Sequence, residues 1–160
     1  MLNDESVRDD HGAVPATALV VIPCGAAKRS HPSPAGELYI GSYHRACRRA
    51  ADRLGGRLLI LSARHGLLLP DRVIEPYDLA MGRPGSVTVE VLREQAQELD
   101  VADAGPVFVL AGWRYAAAAA GVWPLAARPL LGLGIGGQLH RLAEIARHGH
   151  AALTDADGAR

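Results

Sequence analysis

Three short apolar runs organise the chain: "ATALVVI" (16–22), "RLLILS" (57–62) and "GPVFVLAG" (105–112). Each is rich in aliphatic and β-branched residues and bounded by Pro, Gly or Ser. That pattern predicts buried strands. Between them, apolar positions recur at helical spacing. In "SYHRACRRAADRLGG" (42–56), Tyr43, Ala46, Cys47, Ala50 and Leu54 form one stripe, with Ser42 placed to cap the helix and Gly55 to end it. A second helix is predicted over 86–100, with Val87, Val91, Gln95 or Ala96, and Leu99 on its inner side. A short Ala-rich helix follows over 113–123, and a last helix over 138–149, closed by Gly149. "RPLLGLGIGG" (128–137) reads as a short strand running into glycines. Strands alternating with helices predict an α/β protein: a single compact three-layer domain with a mostly parallel sheet of about four strands.

The polar, aperiodic residues 1–14 read as a flexible arm, 15–149 as the α/β domain and 150–160 as a frayed tail. At 160 residues the chain is long enough for one domain, burying roughly 70% of its unfolded surface without staples. Acidic and basic residues balance at 17 each, so no global field draws the protein to nucleic acid or membrane. Sixteen of the seventeen basic residues are arginine, and Lys28 is the exception. Such a bias favours Arg wherever either cation serves, so the retained Lys points to a place where Arg does not. Cys24 and Cys47 have no CxxC or zinc-type spacing. No run reaches the ~18 apolar residues of a membrane span. The expectation is a reduced, cytoplasmic protein with no membrane association, no cofactor and no metal.

Parallel α/β sheets place their sites at the carboxyl ends of the strands. Three such ends are polar and contain glycine: Cys24–Lys28, Ser62–Gly66 and Gly112–Arg114. In "PCGAAK", Lys28 is suited to hold a phosphate or carboxylate as a point charge, or to act as a nucleophile if desolvation lowers its pKa. A solvated loop charge is the bland alternative. Cys24 is either a nucleophile or a small buried hydrophobe. In "LSARHGLLLPDRVIEPYDLAMG", Ser62 and His65 lie three apart in a turn, poor geometry for a triad, so hydrogen bonding to a ligand suits them better. Glu75, held extended before Pro76, is the candidate general base or ribose ligand. Tyr77 either stacks on a base or packs.

"GLGIGG" (132–137) fits GxGxxG on paper, but it does not open a βαβ unit. Gly134 and Gly136 remain candidates for holding an anion at the start of the last helix, or for close packing. Arg45, Arg48, Arg49 and Arg53 share one helix face, which either contacts phosphates or is simply solvated.

These motifs resemble a known family. "SARHGLLLPDRVIEPYDLAMG" looks like the signature of the YaaA-like peroxide-stress proteins, with Ser62, Gly66, Leu67, Pro70, Pro76, Tyr77, Leu79 and Met81 at the matching positions. The "IPCGAAK" segment is similar to that family's lysine-containing segment, its lysine falling on Lys28. A closer resemblance is to short bacterial and phage proteins of unknown function, through Cys24 to Lys28, Leu38-Tyr39 and Ser62 to Leu67. The chain lacks room for the extra helical elements that serve duplex DNA binding in the longer proteins, and His65 stands where they have an aromatic residue.

The expected function is therefore an enzyme, or degenerate enzyme, acting on a nucleotide or a nucleic-acid base, with N-glycosidic cleavage or base exchange as its reaction. Lys28, His65, Glu75 and Cys24 are the expected catalytic residues. Tyr39, Ser62, Gly66, Tyr77, Gly112, Arg114, Gly134 and Gly136 are the expected ligand contacts. The alternative is a non-catalytic DNA- or RNA-binding stress-response protein that uses the four-arginine face.

Overall fold

The first apolar run forms β1 (Leu19–Pro23), all five residues of which are buried. Successive side chains of a strand point to opposite faces, so a strand buried throughout is covered on both. The computed structural model describes residues 18–154; the expected arm at 1–14 lies outside the described residues.

The segment after β1 is not one open loop. It folds back on itself, with Lys28 bridged to Tyr39, and contains β2 (Ser33–Pro34) and α1 (Ala35–Leu38). Helix α2 (Ser42–Leu54) follows; Gly41 rather than Ser42 stands at its cap position, with no side-chain cap. Its buried stripe is His44, Cys47, Ala50, Ala51 and Leu54. The stripe is turned slightly from the expected one, so that His44 faces inward and Tyr43 and Ala46 sit half-buried at its edges. Gly55, at φ 73°, ends the helix in a conformation that favours glycine.

Then come β3 (Arg57–Ser62), β4 (Gly66–Leu68) and β5 (Val73–Ile74), which pairs with β2 in a separate two-stranded ribbon. Helix α3 (Val89–Glu98) starts at a Thr88 cap whose hydroxyl accepts the Val91 N–H at 3.3 Å. It buries Leu92 and Ala96 and leaves Val91 exposed, a face rotated by one residue from the expected one. β6 (Val107–Val109), α4 (Trp113–Ala120), α5 (Ile135–His148) and α6 (His150–Thr154) complete the chain. Ala152 of α6 is buried, so residues 150–154 pack as a short helix where a frayed tail was expected; 155–160 lie outside the described residues.

The main sheet has four strands in the order β4-β3-β1-β6. β1 runs parallel to β3, Leu19 opposite Arg57 through Pro23 opposite Leu61, and parallel to β6, Leu19 opposite Val107. β4 is antiparallel, with Ser62 opposite Gly66. The expected α/β architecture with a mostly parallel sheet is thus present, but the fourth strand is β4 and not the short strand expected at the start of 128–137. At the other edge, pairing stops after one residue. Ala127 exchanges two 2.8 Å bonds with Val107 and Val109. The chain then turns through Arg128 and Pro129, and Pro129 has no N–H to donate. α5 begins three residues earlier than expected, so Gly136 and Gly137 lie in its first turn.

From β1 the chain crosses through α2 to β3 on one side, and later returns to β6 on the other. The carboxyl end of β1 is therefore the point where the direction of winding reverses, where open α/β sheets form a crevice.

The tight β3–β4 turn is held by α3. Gln95 Oε1 accepts the Leu67 N–H at 2.8 Å, and its Nε2 donates to the His65 carbonyl at 2.8 Å. Gly66 has φ 75°, and a methyl group there would overlap the Gln95 amide. Gly66 is needed for this clamp, a structural role. Gly66→Ala adds a left-handed backbone cost to the loss of both amide bonds. It is expected to destabilise the protein by about 2–4 kcal/mol, read as a lower denaturant midpoint in urea unfolding followed by circular dichroism.

Candidate functional site

A cleft of about 560 Å³ opens at the carboxyl end of β1. One wall is the segment Pro23–Lys28; the others are Gly41–His44 at the start of α2, Asp78–Ala80, Gly112 and Tyr115 at the start of α4, and Gln138 of α5. A volume in this range suits a small ligand. Two of the three expected strand ends line it directly, those at Cys24–Lys28 and Gly112.

The third end joins from beneath through hydroxyls. Ser62 is fully buried, and its Oγ accepts the Arg64 N–H at 3.2 Å and the His65 N–H at 3.0 Å. Those two bonds occupy both lone pairs of the oxygen, so the Ser62 hydrogen is given to Tyr77 Oη at 2.7 Å. Tyr77 in turn donates to Tyr39 Oη at 2.7 Å. Burial, offset by the bond from Tyr77, pushes the Tyr39 phenol up to about 12. Burial raises the Tyr77 phenol still further, with Cys24 adding to the effect. Both rings thus keep their protons and serve as a neutral, polarisable floor.

Lys28 rests on that floor. Its Nζ lies 4.4 Å from the centroid of Tyr77 and 5.7 Å from that of Tyr39, and donates to the Ala26 carbonyl at 3.4 Å. The ring faces attract the ammonium without neutralising it. No carboxylate pairs with Lys28 among the described residues.

Two helices present their starts to the same cleft, while α5 reaches it through Gln138. α2 and α4 have Gly41 and Gly112 at their caps, neither with a side-chain cap and neither with an acidic residue in its first turn. Their free N–H groups and partial positive ends add to the charge of Lys28. Asp78 is the one carboxylate among the lining residues.

Cys24 is almost fully buried at the cleft's edge, with the Tyr115 hydroxyl 3.2 Å from its Sγ. Burial raises the Tyr115 phenol, helped by Cys24. Cys47 is buried in α2, where burial pushes its thiol up to about 12. Among the described residues no three His, Cys, Asp or Glu side chains gather as a metal needs.

Other expected residues fall elsewhere. Glu75 is exposed and does not line the cleft. His65 is half-buried against the edge of Tyr77, ring centroids 5.3 Å apart, and sits behind the floor. Burial, with Arg64 and Arg72 nearby, lowers its pKa. Arg114 lies in an adjoining hollow. Gly134 and Gly136 are exposed with open space around them, Gly134 capping α5. On α2, Arg45 and Arg49 are exposed, Arg48 pairs with Asp52 at 3.2 Å, and Arg53 lies against Gly149.

His44, Asp78, Tyr115 and Gln138 were not singled out in the sequence. His44 was legible: 44, 47, 51 and 54 follow a helical cadence as well as the expected stripe does. It is only 3% exposed. Its Nδ1 is 2.9 Å from the Pro23 carbonyl, which can only accept, so Nδ1 carries the hydrogen and Nε2 is a bare acceptor. That Nε2 is buried with no partner. Burial lowers the His44 pKa, outweighing the Pro23 bond, and Arg48 adds to the lowering.

A depressed folded pKa means that protonation favours the unfolded chain. Stability from a neutral His44 is full above the unfolded value of about 6.5 and is lost as pH falls from there toward the folded value. His65 acts in the same direction. Thermal midpoints should therefore fall between pH 8 and pH 5. His44→Asn, which keeps a donor for Pro23 but does not titrate, should flatten that dependence; an unaltered slope would assign it elsewhere.

Residues 19–144 match a family described as a family of unknown function (DUF6884). The matched segment holds the whole cleft, from Pro23 to Gln138. Over 106 residues the chain is 34% identical to the "Uncharacterized protein YfjM" of Bacillus subtilis (strain 168), covering 61% of this chain and 71% of that protein. No solved structure matches the chain. No helix among the described residues is long and apolar enough to cross a membrane. The sequence resemblance to short proteins of unknown function is thereby given a definite form: the chain belongs to the DUF6884 family.

Proposed function

We propose that the cleft binds a nucleotide, its phosphate held by Lys28 and the helix N-termini and its base lodged against the apolar wall. The observation that carries this reading is the convergence of one unpaired ammonium and two uncapped helix starts on a single cleft. Such N-termini favour an anion with oxygens to spare for several N–H donors. Pro23, Leu79, Ala80 and the Tyr115 ring supply apolar surface of the kind a base requires. The lysine is shared with the YaaA-like pattern in the sequence, which supports wider kinship with those proteins.

The reaction class that fits is hydrolysis of the N-glycosidic bond. Water attacks the anomeric carbon, the carbon–nitrogen bond breaks, and its electron pair leaves with the base. Asp78, rather than Glu75, is the carboxylate at hand to take a proton from the attacking water; that proton then passes through solvent to the departing base. The products are a sugar phosphate and a free base. The four-arginine face is a weaker basis for function, since Arg48 is already paired with Asp52 and bonds the Gly36 carbonyl at 3.4 Å.

Lys28→Ala should lower affinity for 5′-mononucleotides about tenfold or more by calorimetry, because a charge-assisted bond is worth roughly 1.5–3 kcal/mol. The fold should be unchanged by circular dichroism. Lys28→Arg should restore only part of the loss, since the bulkier guanidinium cannot sit as a point charge over two rings. Unchanged affinity in Lys28→Ala would sink the assignment. Salt-sensitive DNA or RNA binding that survives Lys28→Ala and is lost with Arg45 and Arg49 would favour the arginine face. Asp78→Asn should abolish release of free base, followed by chromatography, while retaining nucleotide binding.

A further inference from the structure

Beside the cleft lies a second hollow of about 490 Å³, sharing Ala80 and Tyr115 with it. Its chemistry is different. Arg83 and Arg114 line it, both exposed, and neither forms an ion pair among the described residues. Two unpaired guanidiniums in one hollow repel one another, and an anion between them removes that repulsion. Arg114 is held in place. Its guanidinium lies against Gly82, where a methyl would come within 2.9 Å of a terminal nitrogen, and over the Trp113 ring, 4.9 Å from the centroid. Gly82 has φ 87°, so the turn both requires glycine and leaves room for the arginine.

Trp113 is the second observation. It is 66% exposed, although tryptophan is ordinarily among the more buried residues. It follows Gly112, which lines the cleft, so the first turn of α4 separates the cleft from the arginine hollow. Along one short path the surface offers a nucleotide-sized cleft, a pair of arginines with no carboxylate partner among the described residues, and an exposed indole that carries Arg114 over its ring.

Building on the nucleotide reading of the cleft, we infer that the ligand is a nucleotide within a single-stranded nucleic acid, and not a free mononucleotide. One nucleotide occupies the cleft. The neighbouring phosphodiester lies between Arg83 and Arg114, and the adjoining base stacks on Trp113. A stacked base beside a phosphate on arginine is how single strands are held without reading their sequence. A duplex offers no unstacked base to the indole and no flipped nucleotide to the cleft.

The test uses the full chain with 5′-mononucleotides, and with eight-nucleotide single strands of DNA and of RNA and the matching duplexes. Binding is read by calorimetry and by fluorescence anisotropy. Single strands should bind at least tenfold more tightly than mononucleotides and more tightly than duplexes. Comparison of the DNA and RNA arms identifies which strand is preferred. Trp113→Ala should lower single-strand affinity about tenfold, with Trp113→Phe restoring most of it. Arg83→Ala with Arg114→Ala should lower single-strand affinity at least tenfold more than mononucleotide affinity. It should also reduce the slope of log affinity against log salt by about 0.7, the value for one lost phosphate contact on a single strand.

Single strands binding no better than mononucleotides would overturn the inference, as would equal losses for both ligands in the arginine variant. Lys28-dependent mononucleotide binding with no gain for the strand would refute the arginine hollow alone. Strand binding indifferent to Lys28→Ala would refute the cleft reading. No binding by either ligand would refute both.

Discussion

β1 is hydrogen-bonded along both edges and buried on both faces, so the place where it stops fixes where polar chemistry can begin. Its neighbours β3 and β6 run the same way and end beside it. A parallel central strand cannot turn tightly into its partner; each connection must leave the sheet and cross over it. Those excursions deliver α2 from one side and α4 from the other, with their first turns at the same edge of the sheet. The cleft follows from the winding of the backbone, before any particular side chain is considered.

Side chains then decide what kind of cleft it is. The Ser62–Tyr77–Tyr39 relay joins a buried serine to two backbone N–H groups and two phenols to each other, so that each of these three hydroxyls is bonded. Net gains of about 1 kcal/mol for each such bond are modest. Leaving any one of them unmade underneath an ammonium would cost more. The relay ties the β3 end to the 77–80 segment and so positions Asp78 at the mouth, although no side chain among the described residues bonds Asp78 directly.

The strands were legible because they are short aliphatic runs with clear punctuation, and the buried pattern at Leu59–Ser62 matches the sequence directly. Faces of helices were harder. On α2 and α3 several residues of similar size compete for the inner side, and a rotation of one residue decides whether His44 or Tyr43 goes in. The short strand expected at the start of 128–137 failed because apolar character alone cannot supply a hydrogen-bonding edge once Pro129 interrupts it. For the site, Lys28 and Gly112 could be read from their places at strand ends. Glu75 and Asp78 could not be told apart, since they flank the same Pro-Tyr pair, and the residue whose ring is anchored by Ser62 settles which carboxylate comes to the cleft. Tyr115 and Gln138 depend on where α4 and α5 begin, which glycine-rich sequence leaves undefined to within a turn.

The glycines at the start of α5 bear on how the walls of the cleft are set. Gly136 and Gly137 each weaken a helix by about 1 kcal/mol relative to alanine, and the turn has no side-chain cap to offset them. Its polar tie is one amide: Gln138 accepts from the Tyr43 hydroxyl and donates to the Leu133 carbonyl. The first turn of α5 thus contributes little helix stability of its own and takes its position from α2, so the two walls that Tyr43 and Gln138 give the cleft are set by a single shared bond.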